Sequence, residues 1–472
     1  MSGNGFAMTI NGLAASSETW IDVINPATEQ MIAQVPDCSE AQLDEAVAAA
    51  RSAFPEWRNR PYAARQDTLL TIAATLTEHA EELKALLTAE QGKPHAAALN
   101  EVRAAAWWLE ETARNALPVT VTDAMSGQRS TTRHVPLGVV GAIVPWNFPV
   151  LLAMWKVGPA LLTGNTLVLK PSPFTPLTTL RIGELLRPIL PPGVLNVVTG
   201  GDSLGPWMTA HPGIDKISFT GSTATGRRVM ASAAANLKRL TLELGGNDAA
   251  IILDDVDVEA IAEPLFWAAF TNSGQVCVAA KRIYVDEKVY GPLAQALRTI
   301  AERVRVGNGA EQGIDMGPVQ NRAQYERVKA LIADCRAAAH NFLVGGEDLQ
   351  TQGFFVPVTI VDNPPEQSRV VQEEAFGPIV PLLRYSDLDD AIARANASQL
   401  GLGGSVWSSD LDRAAAVAVR LETGTVWINS AQNLTPYAAF AGRKQSGLGV
   451  EGGIEGLLEF TTPQTIHSAR TG

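Results

Sequence analysis

The sequence predicts an α/β protein built on parallel sheets and divided into more than one domain. Three observations carry this. At 472 residues the chain exceeds what one ordinary hydrophobic core fills, so two or three domains are expected. From Leu137 onward, short apolar segments alternate with segments of helical periodicity, the rhythm of right-handed βαβ units. No repeat of fixed period and no low-complexity linker interrupts that rhythm.

Taken in order, the first third is Ala-rich and helical. Glu40–Phe54, Ala64–Glu90 and Leu99–Ala116 carry apolar residues at helical spacing with charges between them. After Pro118, the polar stretch Asp123–Arg133 with Gly127 suits a projecting hairpin. Strands are then expected at Val139–Val144, Thr166–Leu169, Leu195–Val198, Lys216–Phe219 and Leu240–Leu242, with helices at Val150–Leu162 and Pro176–Leu186 among them. A second α/β set begins after Gly246. It comprises strands Ala249–Leu253, Arg282–Val285, Gly404–Trp407 and Thr425–Ile428, and helices over Val258–Phe270 and Tyr325–Arg336. A domain boundary is expected near residues 245–250. Parallel sheets of this kind bind ligands beyond the carboxyl ends of their strands.

Composition narrows the function. A formal net charge of −12 with no basic tract argues against a nucleic-acid partner. Residues 137–169 are largely apolar, but Pro145, Asn147, Pro149, Lys156 and Pro159 break them, which reads as soluble core and not as a membrane span. Three cysteines cannot make a disulfide framework, and no basic n-region precedes an apolar one, so a reducing, cytoplasmic setting is expected. Six histidines without paired spacing give no metal site. No Gly-x-Ser-x-Gly elbow is present.

Cys277 ends the run Asn272-Ser273-Gly274-Gln275-Val276-Cys277, a small-residue loop that suits a thiol attacking a carbonyl. Cys38 and Cys335 have no such context and read as small buried hydrophobes. Glu243 ends a strand before Gly245-Gly246; it is either a solvated strand-end carboxylate or, if buried, a base of raised pKa. Asn147, in Pro145-Trp146-Asn147-Phe148-Pro149, is either a turn residue or an amide that receives an oxyanion with the backbone N–H of Cys277. Lys156 either assists proton movement or extends its ammonium to solvent from a helix. Gly-x-Gly-x-x-Gly is absent. Phe219-Thr220-Gly221-Ser222-Thr223 instead joins a strand to a helix whose N-terminus can receive phosphate. Lys170, at a strand end before Pro171-Ser172-Pro173, can reach ribose hydroxyls or a phosphate.

Together these motifs, with Asn25-Pro26-Ala27-Thr28, Glu373-Glu374-Ala375-Phe376-Gly377-Pro378 and Lys444-Gln445-Ser446-Gly447, resemble the aldehyde dehydrogenase superfamily over nearly the whole chain. The resemblance implies a Rossmann-type dinucleotide domain at 1–122 and 137–245, a catalytic domain at 246–430, and an arm at 123–136 and 448–468 that joins subunits into a homodimer or homotetramer. It implies NAD as cofactor, with NADP as a second. Cys277 would be the nucleophile, Glu243 the base for thioester hydrolysis, Asn147 the oxyanion donor and Lys156 an accessory. Gly221 and Ser222 would hold the pyrophosphate, and Ile143, Trp146, Lys170 and Pro173 would line the same crevice. Glu374 would hold the nicotinamide-side ribose and Phe376 would pack on the ring. The aldehyde would meet Phe148, Leu152, Trp155, Thr271, Val276, Val278, Leu434 and Phe440. Asn247-Asp248 departs from the Lys followed by a small or polar residue that many relatives carry.

Mostly apolar walls without an arginine clamp favour an uncharged aliphatic or aromatic aldehyde. Three alternatives are weighed. A coenzyme-A-acylating relative normally lacks the base, and a non-catalytic structural member would have lost one of Cys277, Glu243 and Asn147. A cysteine hydrolase of another fold would need a histidine partner, and none is near Cys277 in sequence.

Overall fold

The computed structural model describes residues 5–123, 128–349 and 351–469. Gly127 of the expected hairpin lies outside them. Five strands, Val139–Ile143, Thr166–Lys170, Leu195–Val197, Lys216–Thr220 and Arg239–Glu243, form the parallel centre of an eight-stranded sheet. Numbered in chain order, they lie 3-2-1-4-5 across the sheet, the order of a dinucleotide-binding half. The first four are buried along their whole length, including polar residues such as Asn196, Lys216 and Ser218, as strands covered on both faces should be. The sheet has two antiparallel edges. Met8–Ile10 and Leu13–Ala15 add one, and Gly447–Leu448 lies against the Glu243 strand as the other.

The helix Pro149–Leu162 crosses from the first of these strands to the second. Proline at its first position needs no backbone donor, and the helix is buried on almost every side. The expected helix Ala64–Glu90 is two helices, Tyr62–Glu78 and Ala80–Gln91. His79 closes one and opens the other, so neither glycine nor proline marks the break.

A seven-stranded sheet follows, parallel except for its Asn341–Val344 edge strand, in the order Asn341–Val344, Thr359–Asp362, Ile379–Tyr385, Ala280–Asp286, Asp248–Ile252, Gly403–Trp407, Thr425–Ile428. Its Ile379–Tyr385 strand is central although it contains Pro381. Separate cores lie under each sheet. The turn Leu244–Asn247 connects the two sheets directly. The carboxyl ends of the first sheet therefore meet the amino ends of the second.

A three-stranded antiparallel sheet joins Thr120–Asp123, Gln128–Pro136 and Thr461–Ala469. The expected arm segment 448–468 is divided. Its first part, with the helix Gly453–Leu458, packs Ile454, Leu457 and Phe460 onto the first core, and only Thr461 onward enters this sheet. No described helix is long and apolar enough to cross a membrane.

Candidate active site

Cys277 lies in the loop that precedes the strand Ala280–Asp286. Asn272, Ser273 and Gly274 are all left-handed, with φ of 53°, 57° and 70°. Two consecutive non-glycine residues in that region store strain that the surroundings must hold. They do so through side chains. Ser273 Oγ donates to Gly317 O (2.8 Å), Gln275 Nε2 to Asn272 O (2.9 Å), and Gln275 Oε1 accepts from Gln320 N (2.9 Å).

Asn147 Nδ2 donates to Gln275 O at 3.0 Å, which fixes the amide so that nitrogen faces the thiol loop. A cleft of about 160 Å³ brings together Asn147, Cys277, Trp146, Leu152, Gly221, Ser222, Glu374 and Phe376. Leu244 and Gly245 of the turn after Glu243 line it, whereas Glu243 itself does not. A Cβ on Gly246 would strike the Cys277 carbonyl, so the close approach of the two sheets there requires glycine, and one on Gly245 would displace the Glu374 carboxylate. Glu374 Oε1 accepts from Gly246 N at 3.0 Å. Phe376 sets its ring edge-on to Trp146, with centroids 5.3 Å apart.

Electrostatics follow from burial. Glu243 is buried, and among the described residues neither carboxylate oxygen has a hydrogen-bond partner. Burial and the neighbouring Glu451 carboxylate hold its pKa well above the ordinary range, against the opposing pull of Lys156. Lys156 does not extend to solvent. Its Nζ is fully buried, 2.6 Å from Glu451 Oε1 and 3.1 Å from Ser218 Oγ, and it does not line the cleft. Burial raises the Cys277 thiol, helped by the carboxylates of Asp248, Glu243 and Glu374. Glu374 is pushed up to about 7 by burial. Lys281, buried under the thiol loop, donates to Gly377 O (2.7 Å) and Ala269 O (3.0 Å), and burial lowers it to about 7. Asp248, at the position where the sequence departs from many relatives, is pushed up to about 8 by burial while its Oδ1 accepts from Gly403 N.

A dinucleotide fits the residues beside this cleft. The helix Thr223–Ala233 presents its N-terminus there, capped by Ser222 on Thr225 N (3.2 Å), and the buried Thr220 Oγ1 has no partner among the described residues. Ile143 does not line the same crevice as Trp146. It lines an adjoining cleft of about 550 Å³ with Lys170 and Pro173, joined by Asp202 and Arg228, which the sequence reading missed. Lys170 is buried, its Nζ 3.5 Å from Pro171 O, and burial lowers it to about 8.

Seven of the eight expected aldehyde contacts gather with Cys277 in one apolar cluster: Phe148, Leu152, Trp155, Val276, Val278, Leu434 and Phe440. The eighth, Thr271, closes the helix Val258–Phe270 as its C-cap. Its Oγ1 turns back to cap its own helix on Trp267 O (2.7 Å). The cluster also contains Trp108 and Trp427. Trp108 stacks on Trp155 at 4.2 Å, having come from a helix remote in sequence whose apolar face reads as ordinary core. Among the described residues, no group of three or more His, Cys, Asp or Glu side chains is placed to hold a metal.

A model of the Aldehyde dehydrogenase family matches residues 13–466. The chain is 43% identical to a Pseudomonas protein described as a probable aldehyde dehydrogenase, over 98% of this chain and 94% of the relative. It is 40% identical to the phenylacetaldehyde dehydrogenase of Pseudomonas fluorescens, over 96% and 93%. Among solved structures it is similar to a point mutant of the betaine aldehyde dehydrogenase of Staphylococcus aureus in complex with NAD+, at TM-score 0.94 and 33% identity, covering 99% of this chain and 98% of that one.

Proposed function

Because this chain belongs to the aldehyde dehydrogenase family, we propose that it oxidises an uncharged aldehyde to the carboxylic acid with NAD or NADP, through a thioester on Cys277. The observation that carries this reading is the single cleft that holds the Cys277 thiol, the Asn147 amide and the Gly221-Ser222 helix entry. Cys277 Sγ adds to the aldehyde carbon while its thiol proton passes to solvent water. The oxygen gains a negative charge and is received by the second Nδ2 hydrogen of Asn147 and the Cys277 backbone N–H. Gly221, Ser222, Glu374 and Phe376 would hold a nicotinamide dinucleotide in this cleft, and that group would supply the acceptor for the hydride of the same carbon. Glu374 and Phe376 bound the cleft on that side. Glu243 then takes a proton from water, whose oxygen attacks the thioester, and the acid leaves with return of the thiol. Retention of Glu243 favours hydrolysis over transfer of the acyl group to coenzyme A.

The aromatic cluster around Cys277 supports an apolar aldehyde. Acetaldehyde, hexanal, benzaldehyde and phenylacetaldehyde, assayed by absorbance of reduced cofactor, test the reading; no turnover of any with either cofactor would count against it. Discrimination between cofactors should be loose. Pro173 places no carboxylate beside Lys170, and Arg228 and Asp202 offer opposed charges in the same cleft. NAD is expected to be preferred by no more than roughly ten- to thirtyfold in kcat/KM, about 1–2 kcal/mol. Pro173→Glu should depress use of NADP far more than use of NAD. A parent enzyme that rejects NADP by about a thousandfold would place discrimination elsewhere.

We also propose a homodimer or homotetramer. The Thr120–Asp123 strand is an exposed edge, and Val121 and Ile466 of its sheet are about half exposed. Light scattering should give two or four times the 50.2 kDa chain mass, and a monomer at micromolar concentration would contradict this.

A further inference from the structure

A lysine and a glutamate outside the cleft are bound to the segment that carries Asn147. Lys93 and Glu101 form an ion pair in which each side chain is only 1% exposed. Such a pair is a poor device for stability, because desolvation offsets the attraction and apolar replacements of similar volume are often as stable. What distinguishes this one is where its remaining bonds go. Lys93 Nζ donates to Asn147 O at 2.9 Å and lies 4.0 Å above the centre of the Phe148 ring. Glu101 Oε1 accepts from Val150 N (2.9 Å) and Leu151 N (3.2 Å), the first free amides of the helix Pro149–Leu162. The stretch from Asn147 to Leu151 is thus gripped at both ends by one pair.

The same carbonyl of Asn147 accepts from Asn272 Nδ2 (3.1 Å), which belongs to the strained thiol loop. Lys93 is itself fixed against that loop's support. A Cβ on Gly317 would strike the Gly92 carbonyl, and Gly317 O is the acceptor of Ser273 Oγ. Orienting the carbonyl of a residue sets its peptide plane, and with it the direction in which the side chain leaves the backbone.

We propose that Lys93 and Glu101 are positioning residues that aim the Asn147 amide at the oxygen of the reacting aldehyde, acting through the Asn147 carbonyl and the adjoining helix start. The proposal rests on the oxyanion reading of Asn147 given above. Misplacing a reacting group by about 1 Å can cost on the order of a hundredfold in rate.

The test is a double-mutant cycle read as the pre-steady-state burst of reduced cofactor, with the fastest aldehyde of the panel above. Lys93→Met combined with Glu101→Gln removes both charges while the glutamine oxygen can still accept from Val150 and Leu151. In the parent this pair variant should slow hydride transfer roughly ten- to hundredfold, with the dissociation constant of the cofactor changed less than about twofold. In an Asn147→Ala background the same change should cost less than about twofold, because the group being aimed is gone. Multiplicative losses in the combined variant, or a pair variant that transfers hydride at the parent rate, would overturn the positioning role. Asn147→Ala at the parent rate would instead remove the oxyanion reading and the proposal with it. If the pair variant does not fold, Glu101→Gln alone is read through the same cycle: a slowing of the burst that shrinks to less than about twofold in the Asn147→Ala background supports the proposal, and a parent rate overturns it.

Discussion

Cys277→Ala is expected to abolish aldehyde oxidation, with kcat reduced on the order of 10⁴-fold or more, while binding of the cofactor stays measurable. No other thiol can take over. Cys38 and Cys335 are buried in separate hydrophobic cores, one under each sheet, and alanine at either should retain most activity. In the free enzyme the Cys277 thiol is held up by burial and by three neighbouring carboxyl groups, so it rests protonated at neutral pH. Alkylation by iodoacetamide should accordingly be slow at pH 7 and quicken as the pH rises. Near-normal turnover by Cys277→Ala, or inactivation that tracks modification of another cysteine, would end the assignment.

The second large effect is expected at Glu243. Glu243→Gln keeps the shape but cannot take a proton from water, so sulfur addition and hydride transfer should survive while hydrolysis stalls. A burst of reduced cofactor followed by turnover slowed roughly 10²- to 10⁴-fold is expected, with a thioester visible in the intact mass of the protein. The pH dependence has a definite sign. Burial and Glu451 raise the Glu243 pKa, so at low pH the carboxyl is neutral and cannot act as base. Hydrolysis in the parent should therefore rise as pH increases through that raised value, and the variant should lose this limb. Folding should not suffer, because the native carboxylate has no hydrogen bond to lose among the described residues. A variant that turns over like the parent would mean that another group is the base. Loss of the burst as well would mean that Glu243 also activates the thiol.

The fold and the strained shape of the Cys277 loop were legible because they depend on local chemistry. The buried parallel strand Val139–Ile143 is a continuous apolar run, and Gly274 marks a left-handed loop position where a Cβ would strike the Gly377 carbonyl. Features that depend on remote pairing were not legible. The Ile379–Tyr385 strand contains Pro381, which argues for an edge; yet it lies between two strands, and the proline removes only one ladder bond. Trp108 belongs to a helix with an unremarkable apolar face, and only the stacking on Trp155 brings it to the thiol. Lys93 and Glu101 read as ordinary charges near a helix start, because burial is a property of the assembled chain.

The strand that ends in Glu243 borders Gly447–Leu448, with Glu243 opposite Gly447, and the buried Lys156 closes on Glu451. These contacts span roughly two to three hundred residues of chain, so loop-closure entropy must be lost before they can form. During synthesis the Glu243 strand emerges long before its neighbour and must wait as a bare sheet edge, while Lys156 waits without its carboxylate. Pairings this distant make folding slow and leave intermediates open to edge-to-edge aggregation. Refolding from denaturant is therefore expected to restore helical signal well before activity, and nascent chains halted ahead of residue 447 should be strong clients for chaperones.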